Sequence, residues 1–262
     1  MKNRNMNLIK VVSIASLLAF SSSNVAAEKA KSPWESSAEL GYVNVSGNTN
    51  TETTKAAFAL SYEIENWKYK VHADALSSKT KTTDTTVSPS LVTEERTAAK
   101  WLAAGQMDYK FTDVDYFFGL LSYEDDRFSG FDYQAKLGLG YGRWLIKSDI
   151  HNLNIEAGPG YRSYRLVQQA PPAPLEETQD DSLLRVNAGY IWKISGTSTF
   201  KEDLTYEAGQ DQDEWKSVSA LTAKINSTLA MKISHTVKHL EVVPAGSNNF
   251  DRETAVTLVF TF

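Results

Sequence analysis

A serine hydroxyl beside an imidazole is the beginning of a nucleophile–base pair. In this 262-residue sequence Ser219 and His235 meet if the chain turns back at Asn226–Thr228. That turn sets Ile225 opposite Leu229 and, in the same register, Ser219 opposite His235. Both then lie on the apolar face of their strands, as a phospholipase-type pair on a lipid-facing wall would. Hydrolysis also needs a group to orient the imidazole and donors for an oxyanion. The sequence offers no convincing residue for either role, so no catalytic residue is assigned. There is no cysteine, and the four histidines are His72, His151, His235 and His239. The last two stand four apart, which on a strand separates them by about 13 Å. No metal site and no cofactor follow.

Charge is the second kind of chemistry. Lys216, Lys224, Lys232 and Lys238 occupy the polar faces of two consecutive segments. Glu35 and Glu39 hold the polar face near the start of the exported chain, and Arg162 and Arg185 lie in its middle. Asp125, Asp126 and Arg127 make a compact charged cluster. What these groups can do depends on the elements that carry them.

Those elements alternate apolar and polar with a period of two. Clear examples are 34–45, 54–64, 67–77, 98–111, 131–142, 153–162, 184–194, 215–225, 229–238 and 253–262. In 131–142, Phe131, Tyr133, Ala135, Leu137, Leu139 and Tyr141 oppose Asp132, Gln134, Lys136, Gly138 and Gly140. Segment 115–123 is apolar on both faces. Segment 199–207 carries Phe200, Leu204 and Tyr206 on one face, but also Glu202. Together they predict about twelve strands, one domain over 28–262, and no helix. Pro159 cannot donate to a ladder and predicts a bulge or a strand end.

Connections alternate in length. Glu65-Asn66, Thr112-Asp113, 146–149, Ser195-Gly196 and Asn226-Ser227 are short. Segments 46–50, 79–95, 124–130, 167–181, 209–213 and 243–251 are mostly longer and richer in turn-formers and charge. An up-and-down antiparallel meander collects short turns at one end and long loops at the other, the layout of a transmembrane β-barrel. An even strand number puts both termini on the short-turn side.

Residues 1–27 read as a secretory signal peptide. Lys2, Arg4 and Lys10 make a basic front, Val11 to Phe20 an apolar stretch too short to span a bilayer, and Val25-Ala26-Ala27 a small-residue cleavage site. The formal charge of −5, made more acidic by removal of that segment, argues against nucleic acid as a partner.

Alternation alone does not say which face is outside. A soluble lipocalin-like binding barrel buries its apolar face, whereas a membrane barrel shows it to lipid. Aromatics at the short-turn ends favour lipid: Trp34, Tyr62, Trp67, Tyr109, Trp192 and Phe260 resemble an interfacial girdle. The chain ends on Phe260 and Phe262, which resembles the terminal signal read by barrel-assembly machinery.

Tyr123-Glu124-Asp125-Asp126-Arg127-Phe128, Gly130-Phe131-Asp132-Tyr133, Gly138-Leu139-Gly140-Tyr141-Gly142 and the early Gly47-Asn48-Thr49-Asn50-Thr51 occur in order. Together they resemble the YdiY-like family, described as salt-induced outer-membrane proteins and otherwise a domain of unknown function. The resemblance implies a bacterial outer-membrane barrel and brings no catalytic residues.

On a barrel, parity sends Lys216, Lys224, Lys232, Lys238, Arg162 and Arg185 into the lumen, with Glu35 and Glu39 near them after closure. Opposed basic and acidic walls set ion preference, here a weak one for small anions or acidic solutes. A barrel of this width can also be filled by side chains. Asp125, Asp126 and Arg127, read as a loop between strands five and six, are a solvated cluster or a contact for lipopolysaccharide head groups. The expected product is a narrow passive channel or an envelope-structural protein in the outer membrane.

Overall fold

The computed structural model describes residues 32–45, 49–84, 91–126, 131–166, 178–243 and 249–262. The expected signal peptide and Arg127 lie outside the described residues. Twelve strands follow one another: β1 Trp34–Val45, β2 Thr49–Ile64, β3 Trp67–Asp84, β4 Leu91–Lys110, β5 Asp115–Asp126, β6 Phe131–Lys147, β7 His151–Leu166, β8 Gln179–Lys193, β9 Ser198–Gly209, β10 Glu214–Lys224, β11 Leu229–Leu240 and β12 Phe250–Thr261. Each pairs antiparallel with its sequence neighbours, and β1 with β12, so the sheet closes into a barrel. Closure gives every strand two neighbours, with the shortest ladder between β1 and β12.

Period-two alternation fixes which face is which, because directly paired residues share a side. In β1–β2, Trp34↔Tyr62, Ala38↔Phe58 and Leu40↔Ala56 point out, while Glu39↔Ala57 and Gly41↔Lys55 point in. The outer wall is apolar and uncovered: Leu40, Leu121 and Leu139 are 60%, 63% and 58% exposed. The buried residues are inside, and many are charged, among them Asp108, Glu156, Arg162, Asp181, Glu207, Glu214 and Lys238. A water-soluble barrel would have the reverse distribution; this one spans a membrane. At the short-turn end Trp34 stacks near Tyr62 at 4.2 Å, and Trp67 near Tyr109 at 4.9 Å between ring centroids. The tight turn after β2 uses Glu65 with φ of 46°, the left-handed conformation that two-residue hairpins require.

Four expectations are corrected. Residues 79–84 and 91–95 are strand rather than loop: Thr80, Lys81 and Thr82 pair with Glu95, Glu94 and Thr93. The Thr-rich, alternating-charge sequence suits a hairpin wet on both faces. Pairing of β4 with β5 begins only at Lys100↔Asp126, so this hairpin projects beyond β5 on the long-loop side. Second, Phe131 is inside, 1% exposed and packed on Tyr164 and Leu240, because the β6–β7 register shifts between Phe131 and Tyr133. Third, Pro159 makes neither bulge nor strand end. The flanking pairs Gly138↔Gly160 and Tyr141↔Ala157 keep one register across it. The backbones close in instead: a Cβ on Gly158 would lie 2.0 Å from the Leu139 carbonyl oxygen. Finally, Asp125 and Asp126 are the end of β5, not a loop, and they face opposite sides. Asp125 pairs with outward Trp101 and Asp126 with inward Lys100.

Candidate functional site: the lumen

The lumen is divided lengthwise. One half, against β5 to β8 and the long-loop ends of β9 and β10, is packed. Arg162 is its centre. Its Nη2 donates to Asp181 Oδ2 and to the Gln212 carbonyl, each at 2.6 Å, and Nη1 lies 3.7 Å from Glu214. Lys136 reaches Glu207 at 2.7 Å and Glu214 at 3.0 Å. Lys238 crosses from β11 to Glu124 of β5 at 3.3 Å. Nearer the short turns, Glu156 accepts from the Tyr116 hydroxyl and from Gln106 Nε2, both at 2.9 Å. Each of these charges is paired and desolvated, as buried ions must be.

The other half, against β1 to β4 and β9 to β12, is wet. A cavity of about 500 Å³ opens there, from Asp126, Asp251 and Arg252 at the outer rim down to Ala57, His72, Ala220 and Ser234. Ion pairs lie along its walls. Lys55 and Lys100 share the one carboxylate of Glu253, each at 2.5 Å, and Lys232 holds Glu39 at 2.6 Å. Lys216 lines the cavity and makes no ion pair among the described residues. Toward the short turns, Lys201 and Asp203 are exposed on the inner face. Lys201 likewise has no ion pair among the described residues.

The residues singled out by sequence therefore part company. Lys216, Lys232 and Lys238 line the cavity, and Glu39 sits beside them. Glu35 and Lys224 are exposed at the short-turn end. Arg162 is sealed in the packed half, 1% exposed, and Arg185 lies 3.8 Å from Glu207 there. Phe260 pairs with Ala38 and Leu229. Phe262 is exposed, with its N–H bonded to the Ser36 carbonyl at 3.0 Å. Sequence reasoning did not single out Glu214, and it placed Glu253 in the lumen only by parity; each is the hub of two or more lysines or arginines. Glu214 stands just before a segment read for its lysines and Glu253 in one read for its apolar face, and only cross-lumen distances make them hubs.

The outer wall carries its own polar patch. Ser219 and His235 are cross-strand partners, as the turn register predicts. They do not form a proton relay. Ser219 Oγ donates to Glu202 Oε2 at 2.5 Å, Ser217 Oγ donates to Glu202 Oε1 at 2.7 Å, and His235 Nδ1 lies 2.8 Å from Thr254 Oγ1. The break in alternation at Glu202 was the sequence sign of this patch.

Over residues 38–262 the chain matches a family described as a protein of unknown function, DUF481, and it belongs to that family. It is 27% identical over 271 residues to the uncharacterized protein YdiY of Escherichia coli strain K12, covering 98% of this chain and all of that one. Among solved structures it is similar to the NanC porin, at 13% identity and a TM-score of 0.47, over 86% of this chain and 98% of that one. It is also similar to the KdgM porin, at 12% identity and a TM-score of 0.45, over 87% and 99%.

Proposed function

We propose that this DUF481-family chain is a bacterial outer-membrane protein that acts passively, as a narrow, eccentric, water-filled passage for small ions, weakly selective for anions. The observation that carries this reading is the pair of inward lysines, exposed Lys201 and half-buried Lys216, which make no ion pair among the described residues. Every other lysine along the cavity, Lys55, Lys100, Lys232 and Lys238, is neutralised by a carboxylate. A passing anion therefore meets two lysines that no carboxylate holds at ion-pair distance, in a narrow bore where charge is less screened than in bulk water. The packed half narrows the bore, so sugars and larger acidic solutes are excluded unless slender. The family resemblance adds a link to salt or osmotic conditions, which a small-ion leak would serve. Phe260 and Phe262 would address the assembly machinery, and the outer rim would meet lipopolysaccharide.

A lipid hydrolase is disfavoured, since Ser219 is bonded to a carboxylate and not to His235. The direct test is conductance of the purified, refolded chain in a planar bilayer under a potassium chloride gradient. Small discrete steps with a reversal potential on the anion side are expected. Absence of steps, from protein shown by its electrophoretic mobility to be folded and inserted, would mean a filled barrel.

A further inference from the structure

The charges that line the cavity are balanced, six carboxylates against six lysines and arginines. Most of them cancel locally. Lys232 holds Glu39 at 2.6 Å, and Lys238 holds Glu124 at 3.3 Å. Lys55 and Lys100 share Glu253 at 2.5 Å, and Asp126 stands opposite Lys100 in the β4–β5 ladder. Asp251 stands opposite Lys238 in the β11–β12 ladder. Arg252 lies over the Phe250 ring, 5.0 Å from its centroid, at the outer rim. Two groups are left over, one of each sign: Asp74 on β3 and Lys216 on β10.

These two come from opposite walls of the cavity. In the ring of twelve strands β3 and β10 are five steps apart, close to diametrically opposed. Lys216 is near enough to act on the Asp74 carboxylate through space, yet the two form no ion pair. The hydrogen-bond partner of Asp74 is His72, two residues along the same strand, whose Nε2 lies 3.1 Å from Oδ1. Asp74 Oδ2 and Lys216 Nζ therefore have no hydrogen-bond partner among the described residues. The residues lining the cavity beside them are short, as at Ala57, Ala220 and Ser234, so the gap stays open. Each end of the gap offers half of a charge-assisted hydrogen bond, the strong kind.

We propose that this gap is a binding station for a small zwitterion, with its ammonium on Asp74 and its carboxylate on Lys216. An amino acid of short carbon skeleton has this chemistry. The station deepens the reading of the lumen as a passage, and it rests on that reading for the solute's access. An anion alone satisfies Lys216 and sets a second negative charge before Asp74; a cation alone meets the reverse. A molecule carrying both charges matches both ends and adds no net charge to a cavity whose fixed charges already balance. His72 steadies the Asp74 carboxylate through Oδ1 and leaves Oδ2 for the ligand. A cavity of about 500 Å³ lies within the range of small-molecule sites.

The probe is radiolabelled γ-aminobutyrate, followed by equilibrium dialysis against the refolded full chain in detergent micelles at low salt. Saturable binding is expected. Butyrate and butylammonium should compete about tenfold more weakly, because each makes one of the two charged contacts. Asp74→Asn and Lys216→Met should each weaken binding about tenfold for the same reason. The reversed pair Asp74→Lys/Lys216→Asp should recover it, since a zwitterion can turn end for end. A merely structural role for either residue would not produce that recovery. Electrophoretic mobility before and after heating checks that each variant is folded. No saturable binding to folded protein overturns the station. So does butyrate or butylammonium competing as well as γ-aminobutyrate, or a reversed pair that binds no better than the single variants. Salt conductance of the unaltered chain is measured in parallel. Conductance with no binding overturns the station alone, whereas binding with no conductance keeps the station and overturns the through-passage.

Discussion

The two halves of the lumen use the same residue types to opposite ends. In the half against β5 to β8, arginine and lysine are desolvated and tied to carboxylates, with Arg162 and Asp181 almost completely buried. In the half against β1 to β4 and β9 to β12, lysines of the same chemistry line an open cavity, and Lys201 and Lys216 make no ion pair among the described residues. The difference lies in the size of the neighbours. Tyr116, Phe118, Phe131 and Tyr164 fill the space around the buried ions. Across the lumen the inward positions are small, as at Ala57, Ala98, Ala220 and Ser234, and leave the cavity open. A charge inside a barrel is structural where bulky side chains exclude water and available to solutes where they do not.

The sharpest way to break this contrast is to remove one partner of the buried pair. Asp181→Ala leaves the Arg162 guanidinium buried, with the Gln212 carbonyl at 2.6 Å and the more distant Glu214 carboxylate at 3.7 Å as its remaining partners. It should cost about 3–5 kcal/mol, read as a lowered urea midpoint for the barrel in detergent or lipid. Glu39→Gln in the wet half should cost much less, because water solvates the released Lys232. Equal losses at both sites would mean that the halves are not distinct.

A second, smaller effect concerns selectivity. Lys201→Glu with Lys216→Glu should move the reversal potential from the anion to the cation side and leave the urea midpoint nearly unchanged. An unaltered preference would place the selecting charges elsewhere. The smallest effect lies outside the wall, in the projecting β3–β4 hairpin. Hydrogen bonds from Lys79 and Lys81 hold the Glu94 carboxyl below its ordinary value. A carboxyl held down in the folded state stabilises at neutral pH, and that contribution is lost as pH falls through its folded pKa. Amide hydrogen exchange in 79–82 and 93–96 should therefore speed up at pH 3 relative to the short-turn end of the β2–β3 pair, 58–73, after correction for the intrinsic rate.

The strand count, the meander, the face of each strand and the Ser219–His235 register were legible because they depend only on period two and on turn length. Phe131 was misplaced because a register shift exchanges faces without changing the sequence pattern. Pro159 was misjudged because its glycine neighbours, Gly140 and Gly158, let the backbones close in and keep the register through it. The hubs Glu214 and Glu253 were illegible for a different reason. Their partners are on strands far away in sequence, such as Lys55 and Lys136, and parity says only that all of them point inward. Which charges meet across a lumen depends on side-chain size and reach, which carry no period.

The short seam also has a consequence in time. β1 and β12 are joined by contacts such as Thr257 to Glu39, 218 residues apart. Every other pair of strands is a local hairpin that can zip as soon as its two arms exist. Closing so long a loop carries the largest entropic cost in the molecule, and the reward is only four ladder pairs. The sheet should therefore assemble as an open, curled ribbon and become a tube in its final step. The same arithmetic makes that junction the first to part on unfolding, so a folding catalyst would need to act at only one place.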